Sequence, residues 1–258
     1  MSIQLEFQSG VACVTLDRPE AMNAMTKEMD AQLRAIWPEV NARSDVHAVI
    51  LTGAGPKAFC SGADIGTLLP YLQERARHED DSGDFAGMSR EPPTNKPIIA
   101  AINGICVAGG LELALACDLR IAEEHSVFAL PEVRWGVIAG GGGITRLSRL
   151  IPDAVAMDML LTAQSIDATR ALQVGLVSEV VGTGKAFERA MAKAESIGRM
   201  GPLAVRLTKE VARRGRDMGL YAALEFERVA FRRAMLSEDV NEGVAAFVER
   251  RTPRYTGR

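Results

Sequence analysis

Apolar and polar residues follow two kinds of pattern along this chain, and together they predict a mixed α/β fold. Two short apolar runs, residues 3–7 and 11–16, flank a Ser-Gly pair, as expected of a β-hairpin. Thr26 precedes a stretch, ending near Asn41, in which apolar side chains recur at helical spacing. Residues 48–52 form a β-branched run that is typical of a buried parallel strand.

The same order of elements recurs further along the chain. Residues 97–102 are predicted to form a strand, an Asn-Gly turn follows, and residues 109–116 begin a helix. Residues 119–122 are predicted to form another strand. This alternation of strand, loop and helix predicts parallel βαβ packing.

The pattern changes after about Pro152, where glycine becomes rarer and helical spacing dominates. In this part of the chain only residues 176–181 have the character of a strand. The predicted helices cover residues 154–161, 169–173, 186–197, 203–213, 220–235 and 239–250.

Composition limits the function classes that need to be considered. The chain has 258 residues, of which 47% are hydrophobic and 24% charged, as in one large globular α/β domain or a core with a helical appendage. The net charge is −3, with both signs mixed throughout, and aromatic residues make up only 5%. These features argue against a nucleic-acid binder. The charged residues 78–84 are predicted to form a solvated, mobile loop.

Cysteine spacing and the N-terminal residues bear on where the protein works. The four cysteines show no C-x-x-C spacing and only three histidines accompany them, so no metal site is predicted. A reducing interior is the simplest setting, and no secretory signal pattern precedes the first strand, so we expect a cytoplasmic protein. The apolar stretch 98–119 contains Asn103, Glu112 and Asp118, which favours a buried strand–turn–helix over a membrane span.

The pair Gly109-Gly110 at the start of a predicted helix is a candidate binding element. Two glycines let another molecule approach the backbone, and the free N–H groups of a first helical turn favour negative charge. A thioester carbonyl that becomes an enolate is a fitting guest, and Glu112 would lie beside it. The alternative is a tight strand-to-helix junction with Glu112 as a helix-start carboxylate.

Glu132 is a second candidate because it follows an apolar segment, residues 127–131. A carboxyl group there is expected to be partly desolvated, which raises its pKa towards a value useful in acid/base chemistry. The alternative is a loop-end glutamate paired with Arg134 or another base. The glycine run 140–143 could cradle phosphate, but it lacks the residues of a P-loop or of a dinucleotide fingerprint. Its N–H groups are expected to be available for a ligand or a water.

Five segments in the right order resemble the crotonase (enoyl-CoA hydratase/isomerase) superfamily over nearly the whole chain. They match the family patterns R-P-x-A-L/M-N-A, F-x-x-G-A-D-I, N-G-x-x-x-G-G-x-E-L-A…C-D, P-E-x-x-x-G…G-G and E-G-x-x-A-F-x-E-K/R-R. The corresponding residues here are 18–24, 59–65, 103–118, 131–143 and 242–251.

The resemblance implies an α/β spiral of ββα repeats in residues 1–195, followed by a helical trimerisation region in residues 196–258. It implies a homotrimer, or a hexamer built as a dimer of trimers. The N–H groups of Ala63 and Gly109 would form an oxyanion hole, Glu112 and Glu132 would be catalytic, and Gly140 would lie near the reacting water. The family's CoA-binding positions correspond to Ala21, Met22, Ala63, Asp64, Ile65, Phe247 and Arg250. Of these, Phe247 and Arg250 would reach the CoA of a neighbouring subunit.

Retention of both glutamates favours hydration of a 2-enoyl-CoA, in which two carboxylates hold one water at C3. No cofactor or metal is implied, since coenzyme A enters as part of the substrate. The alternatives are an enoyl-CoA isomerase, another acyl-CoA dehydratase of the same fold, or a non-catalytic CoA- or RNA-binding protein. Ala139 stands where the family usually has proline, and this departure puts the acyl substrate in doubt.

Overall fold

The computed structural model describes residues 2–78 and 84–258, so residues 79–83 of the predicted charged loop lie outside the described residues. The described residues form ten strands and ten helices. The strands are β1 Ile3–Gln8, β2 Val11–Leu16, β3 Ala48–Gly53, β4 Ala58–Cys60, β5 Ile98–Ile102, β6 Ile105–Val107, β7 Leu119–Glu123, β8 Val127–Ala129, β9 Ile166–Asp167 and β10 Glu179–Val181. The helices are α1 Lys27–Ala42, α2 Leu68–Arg77, α3 Gly109–Ala116, α4 Gly143–Leu150, α5 Asp153–Thr162, α6 Ala168–Gln173, α7 Ala186–Gly198, α8 Pro202–Gly215, α9 Leu220–Met235 and α10 Glu238–Glu249.

The first helix shows how local sequence signals set an element. The hydroxyl oxygen of Thr26 accepts a hydrogen bond from the Met29 amide at 3.1 Å, so Thr26 caps α1 as predicted. Met29, Leu33 and Trp37 recur at helical spacing and are buried against the sheet.

The larger sheet has six strands in the order β1-β2-β3-β5-β7-β10. The predicted hairpin β1–β2 is antiparallel, and every other neighbouring pair in this sheet is parallel. The prediction of parallel βαβ packing is therefore confirmed. Apolar side chains cover both faces of the central strands, which explains why the sequence of β3 is hydrophobic throughout.

A second sheet, in the order β4-β6-β8-β9, completes the ββα repeats. In each repeat the chain passes from a strand of the larger sheet to a three-residue strand of the smaller one and then into a helix. The repeats β3-β4-α2, β5-β6-α3 and β7-β8-α4 stack side by side, so the predicted spiral is confirmed.

The prediction of a single strand after Pro152 is wrong in two respects. Ile166–Asp167 also pairs, antiparallel to β8, and the strand expected over residues 176–181 is limited to Glu179–Val181. A two-residue strand has no alternation of polar and apolar positions that a sequence pattern can reveal.

The apolar segment 98–119 is divided among β5, β6, α3 and β7. Within residues 2–78 and 84–258, no helix combines the length and the apolar character that are needed to cross a membrane.

One partly buried carboxylate docks helix α8 onto the sheets. Asp118 follows α3 and accepts hydrogen bonds from Lys209 Nζ and Arg213 Nη2 of α8, both at 2.8 Å, and from the Ile98 amide, also at 2.8 Å. The predicted domain boundary at residues 195/196 lies inside α7, which itself packs on the sheet.

Substitution of Asp118 by asparagine is expected to lower the free energy of unfolding by ~3 kcal/mol, because two cations lose their counter-charge in a largely buried site. The urea midpoint measures this effect. Asp217→Asn is the matched control, since Asp217 is exposed and lies 3.9 Å from Arg149 Nε. Equal midpoints for the two variants would show that Asp118 does not hold the helices in place.

Candidate active site

The candidate residues all follow strands of the smaller sheet. Ala63 comes after β4, Gly109 and Glu112 come after β6, and Glu132 comes after β8. These three strands are parallel neighbours, so their carboxyl ends lie at one edge of the sheet. Groups that are far apart in the sequence are therefore brought to a common place.

The backbone at Gly62 and Gly109 is closely apposed. A Cβ built on Gly109 would lie 3.4 Å from the Gly62 Cα, and one built on Gly62, whose φ is +102°, would lie 2.6 Å from the Ala108 Cβ. Among the residues that the structure describes, no acceptor is found for the N–H of Ala63 or of Gly109. These two amides can therefore donate to a bound oxygen.

Hydrogen bonds fix the segment that carries Ala63. The Met25 amide donates to the Gly62 carbonyl, and the Asp64 amide donates to the Met25 carbonyl, both at 2.8 Å. Arg18 Nη1 lies 2.6 Å from Asp64 Oδ2, and this contact lowers the pKa of the Asp64 carboxyl group. Asp64 thus helps to hold the turn in place.

Glycine is required for different reasons at the two positions that begin α3. A Cβ on Gly110 would lie 2.1 Å from the Cys60 carbonyl oxygen, so close packing inside the protein requires this glycine. A Cβ on Gly109 would lie 3.0 Å from the ring of Phe85. The preceding residue, Ala108, has a φ of +51°, which is uncommon for a residue other than glycine. The turn is therefore a tight strand-to-helix junction, and at the same time its Gly109 amide remains open to a ligand.

Glu112 is buried, and the glycine run surrounds its carboxyl group. The Gly143 amide donates to Glu112 Oε1 at 2.9 Å. A Cβ on Gly141 would lie 2.6 Å from Glu112 Oε2, and one on Gly143 would lie 2.9 Å from Oε1. Burial raises the pKa of Glu112, while the amides of Gly143 and Gly141 and the charge of Arg146 oppose that rise.

This geometry corrects one prediction. The N–H groups of residues 140–143 were expected to be free for a ligand or a water, but the Gly143 amide is bonded to Glu112. Gly140 is exposed, and a Cβ added there would meet only the Ile138 carbonyl oxygen, at 3.9 Å.

Glu132 begins a turn of 3-10 helix, Glu132–Trp135, directly after Pro131. Its Oε2 atom is buried and has no hydrogen-bond partner within the described part of the chain. Burial, with a smaller contribution from repulsion by Glu112, raises the pKa of Glu132 to about 7. The interpretation as a structural pair with Arg134 is wrong, since Arg134 Nη2 donates to the Ala163 carbonyl at 2.9 Å.

The two carboxyl groups differ in a way that suits acid/base chemistry. Glu112 has a fixed donor and a nearby cation that favour its charged form. Glu132 has one oxygen without a partner and takes up a proton near neutral pH. The two carboxyl groups also lie close enough for the charge of Glu112 to raise the pKa of Glu132.

The other predicted positions divide into two groups. Met22 and Ile65 are exposed apolar side chains at the turn that carries Ala63, and Met22 O accepts from the Ser61 amide at 3.1 Å. Phe247 and Arg250 belong to the end of α10, where Phe247 is 86% exposed. No described contact joins either of them to Glu112 or Glu132 in this single chain.

Sequence reasoning missed two residues at the site, Phe85 and Arg146. Phe85 packs on Gly109, but it follows residues 79–83 at a point with no regular pattern. Arg146 follows Gly142 by four residues at the start of α4, a spacing that can place a side chain over the helix start.

Comparison with known proteins gives a consistent result. Residues 6–258 match the family described as Enoyl-CoA hydratase/isomerase. The (E)-benzylidenesuccinyl-CoA hydratase of Thauera aromatica is 43% identical over 257 residues, covering 100% of each chain. The short-chain-enoyl-CoA hydratase of Clostridium acetobutylicum is 38% identical, covering 97% of this chain and 95% of the relative. The crystal structure of enoyl-CoA hydratase from Bacillus anthracis has a TM-score of 0.91 at 36% identity, with 100% of both chains covered.

Substitution of Glu112 by glutamine is expected to lower the pKa of Glu132 from about 7, because repulsion is removed, but not to the ordinary value of 4.5, because burial remains. Carboxyl ¹³C NMR titration of labelled glutamate measures this. Glu188→Gln, which changes an exposed glutamate of α7, is expected to leave the Glu132 titration unchanged. A Glu132 that titrates near 4.5 in the unaltered protein would contradict the desolvated site.

Proposed function

The chain belongs to the enoyl-CoA hydratase/isomerase family, and on that premise we propose that it adds water to a 2-enoyl-CoA to form a 3-hydroxyacyl-CoA. The observation that carries the proposal is the pair of neighbouring carboxyl groups, Glu112 and Glu132: Glu112 accepts a hydrogen bond from the Gly143 amide, and the pKa of Glu132 is raised to about 7. Hydration needs a base and a proton donor beside the double bond.

In the proposed reaction Glu112 acts as the base. It removes a proton from water as the water oxygen bonds to C3, and the electrons of the double bond move towards the thioester carbonyl. The N–H groups of Ala63 and Gly109 stabilise the resulting enolate, each by ~3–4 kcal/mol if they act like donors of comparable oxyanion holes. Glu132 then gives its proton to C2. The proton left on Glu112 returns to Glu132 through solvent, so that one water is added in total. Gly140 is exposed and directly precedes the glycine turn, residues 141–143, that surrounds the Glu112 carboxyl group. It is proposed to help position that water.

Coenzyme A is proposed to lie along the turn that carries Ala63, in contact with Ala21, Met22, Asp64 and Ile65. The exposure of Met22 and Ile65 supports this, because both present apolar surface next to the free amide. No separate cofactor is needed for this reaction. Four free and buried cysteines support a reducing, cytoplasmic setting.

The C-terminal region, residues 196–258, is proposed to assemble the chain into a homotrimer or a dimer of trimers. Helices α9 and α10 expose large apolar side chains that a second subunit would cover. These include Leu220, Tyr221, Val229, Phe231, Val244, Phe247 and Val248, all more than 60% exposed. Phe247 and Arg250 would then contact the CoA bound to a neighbouring subunit.

Incubation with crotonyl-CoA, longer 2-enoyl-CoA thioesters or (E)-benzylidenesuccinyl-CoA is expected to bleach the conjugated enoyl absorbance of at least one of them. Glu112→Gln and Glu132→Gln should each reduce kcat by ~10²–10⁴-fold, because each removes one acid/base group. CoA binding, measured by calorimetry, should persist. Glu188→Gln serves as the control with unchanged turnover. Bleaching of none of these thioesters, together with conversion of 3-enoyl thioesters, would favour an isomerase instead.

The pH dependence of kcat/KM follows from the two carboxyl groups. The value is expected to fall at low pH, as Glu112 takes up a proton and stops acting as a base. It is expected to fall again above a midpoint near 7, as Glu132 loses the proton that it must donate. The residual activity of Glu132→Gln should lack the alkaline limb. Persistence of that limb in this variant would assign it to another group.

A further inference from the structure

Arg146 connects two segments of the chain that both touch the site. Its Nη1 donates to the Gly141 carbonyl at 3.3 Å, and its Nη2 donates to the carbonyls of Met88 and Ser89 at 3.3 and 2.8 Å. A planar guanidinium can make these contacts at once because its N–H groups form a rigid fork.

Each connected segment holds a different part of the site. The turn at residues 141–143 places its amide on the Glu112 carboxylate. The segment containing Met88 and Ser89 continues from Phe85, whose ring lies against the backbone of Gly109. Gly109 and Glu112 share the first turn of α3, so the joining of these two segments bears on where the Glu112 carboxyl group lies, rather than on the backbone beneath it.

Gly142 shows that the backbone accommodates this guanidinium. Its φ is +93°, and a Cβ added there would lie 2.0 Å from Arg146 Nη1 and 3.2 Å from the Ser89 carbonyl oxygen. Arg146 thus passes directly over Gly142 on its way to the second segment. Glycine is required here both by the backbone conformation and by the side chain above it.

We propose that Arg146 is a positioning residue, whose guanidinium ties the turn that holds Glu112 to the segment that packs on Gly109 and so sets the base against the oxyanion amides. This inference rests on the proposed function in treating Glu112 as the base. The three hydrogen bonds of its guanidinium go to protein carbonyls, so this role requires no contact with the substrate.

The charges around Arg146 and Glu112 determine how the loss of Arg146 changes the pH dependence of kcat/KM. Glu112 and Asp84 attract Arg146, and Arg213 of α8 repels it. Burial raises the pKa of the nearby Cys117 thiol to about 12, so this group stays neutral in the range that matters. Glu132 lies close enough to Glu112 for their negative charges to repel each other. Since Arg146 opposes the rise in the pKa of Glu112, loss of its charge raises that pKa further. The acidic limb of kcat/KM then moves to higher pH.

The test compares Arg146→Met, Arg146→Lys and Arg149→Met. Arg146→Met is expected to reduce kcat by ~10–100-fold through misplacement of the base, and to move the acidic limb to higher pH. Arg146→Lys keeps the charge but cannot bridge all three carbonyls, so the limb should stay in place while kcat recovers only in part. Arg149→Met removes an exposed arginine of the same helix and should change neither.

Two outcomes would overturn the proposal: Arg146→Met behaving like Arg149→Met, or Arg146→Lys matching the kcat of the unaltered enzyme. If Arg146→Met does not fold by circular dichroism, the lysine variant decides alone. A carboxyl ¹³C NMR titration of Glu112 in the Glu132→Gln background reports the pKa of Glu112 without relying on enzyme turnover. If the unaltered protein hydrates no thioester, the proposed function fails, and this titration still tests Arg146: a raised pKa in Arg146→Met supports the contact and an unchanged one refutes it.

Discussion

The hydrogen bond from the Gly143 amide to the buried Glu112 carboxylate sets the geometry of the site. A carboxylate this deeply buried would otherwise favour its neutral form, because burial penalises charge. The glycine turn approaches it so closely that side chains at Gly141 or Gly143 would collide with its oxygens. The turn therefore holds the Glu112 carboxyl group in position and opposes the rise in its pKa that burial causes.

Burial raises the pKa of Glu132, and its carboxyl group lacks a comparable set of donors to oppose the rise. Its buried Oε2 has no donor within the described residues, and the neighbouring Glu112 repels a second negative charge. Two residues of the same type thus differ in surroundings, because the amides of Gly143 and Gly141 and the charge of Arg146 oppose the rise in the pKa of Glu112, whereas burial and the charge of Glu112 raise the pKa of Glu132 to about 7. The residue type alone therefore does not set the pKa of either carboxyl group.

The elements that carry a long pattern of polar and apolar positions were predicted from the sequence. The Thr26 cap, helix α1 and the strands of the larger sheet were found from periodicity, and Glu112 and Glu132 from their place beside glycine and apolar runs. Strands β4, β6 and β8 were missed, because three residues carry too little alternation to detect. The contacts of Gly143 and Arg146 were also missed, since each joins segments whose meeting depends on the tertiary fold.

Those missed strands explain why the candidate residues meet at all. Each is three residues long and contributes little pairing of its own, but the three lie parallel and in sequence order. The loops that leave them therefore emerge at one edge, where Ala63, Gly109 and Glu132 lie. The larger sheet contributes buried side chains to both hydrophobic clusters of the core. The smaller sheet determines where three successive repeats deliver the amide of Ala63, the amide of Gly109 with Glu112, and Glu132, so the proposed chemistry depends on the part of the fold with the weakest sequence signal.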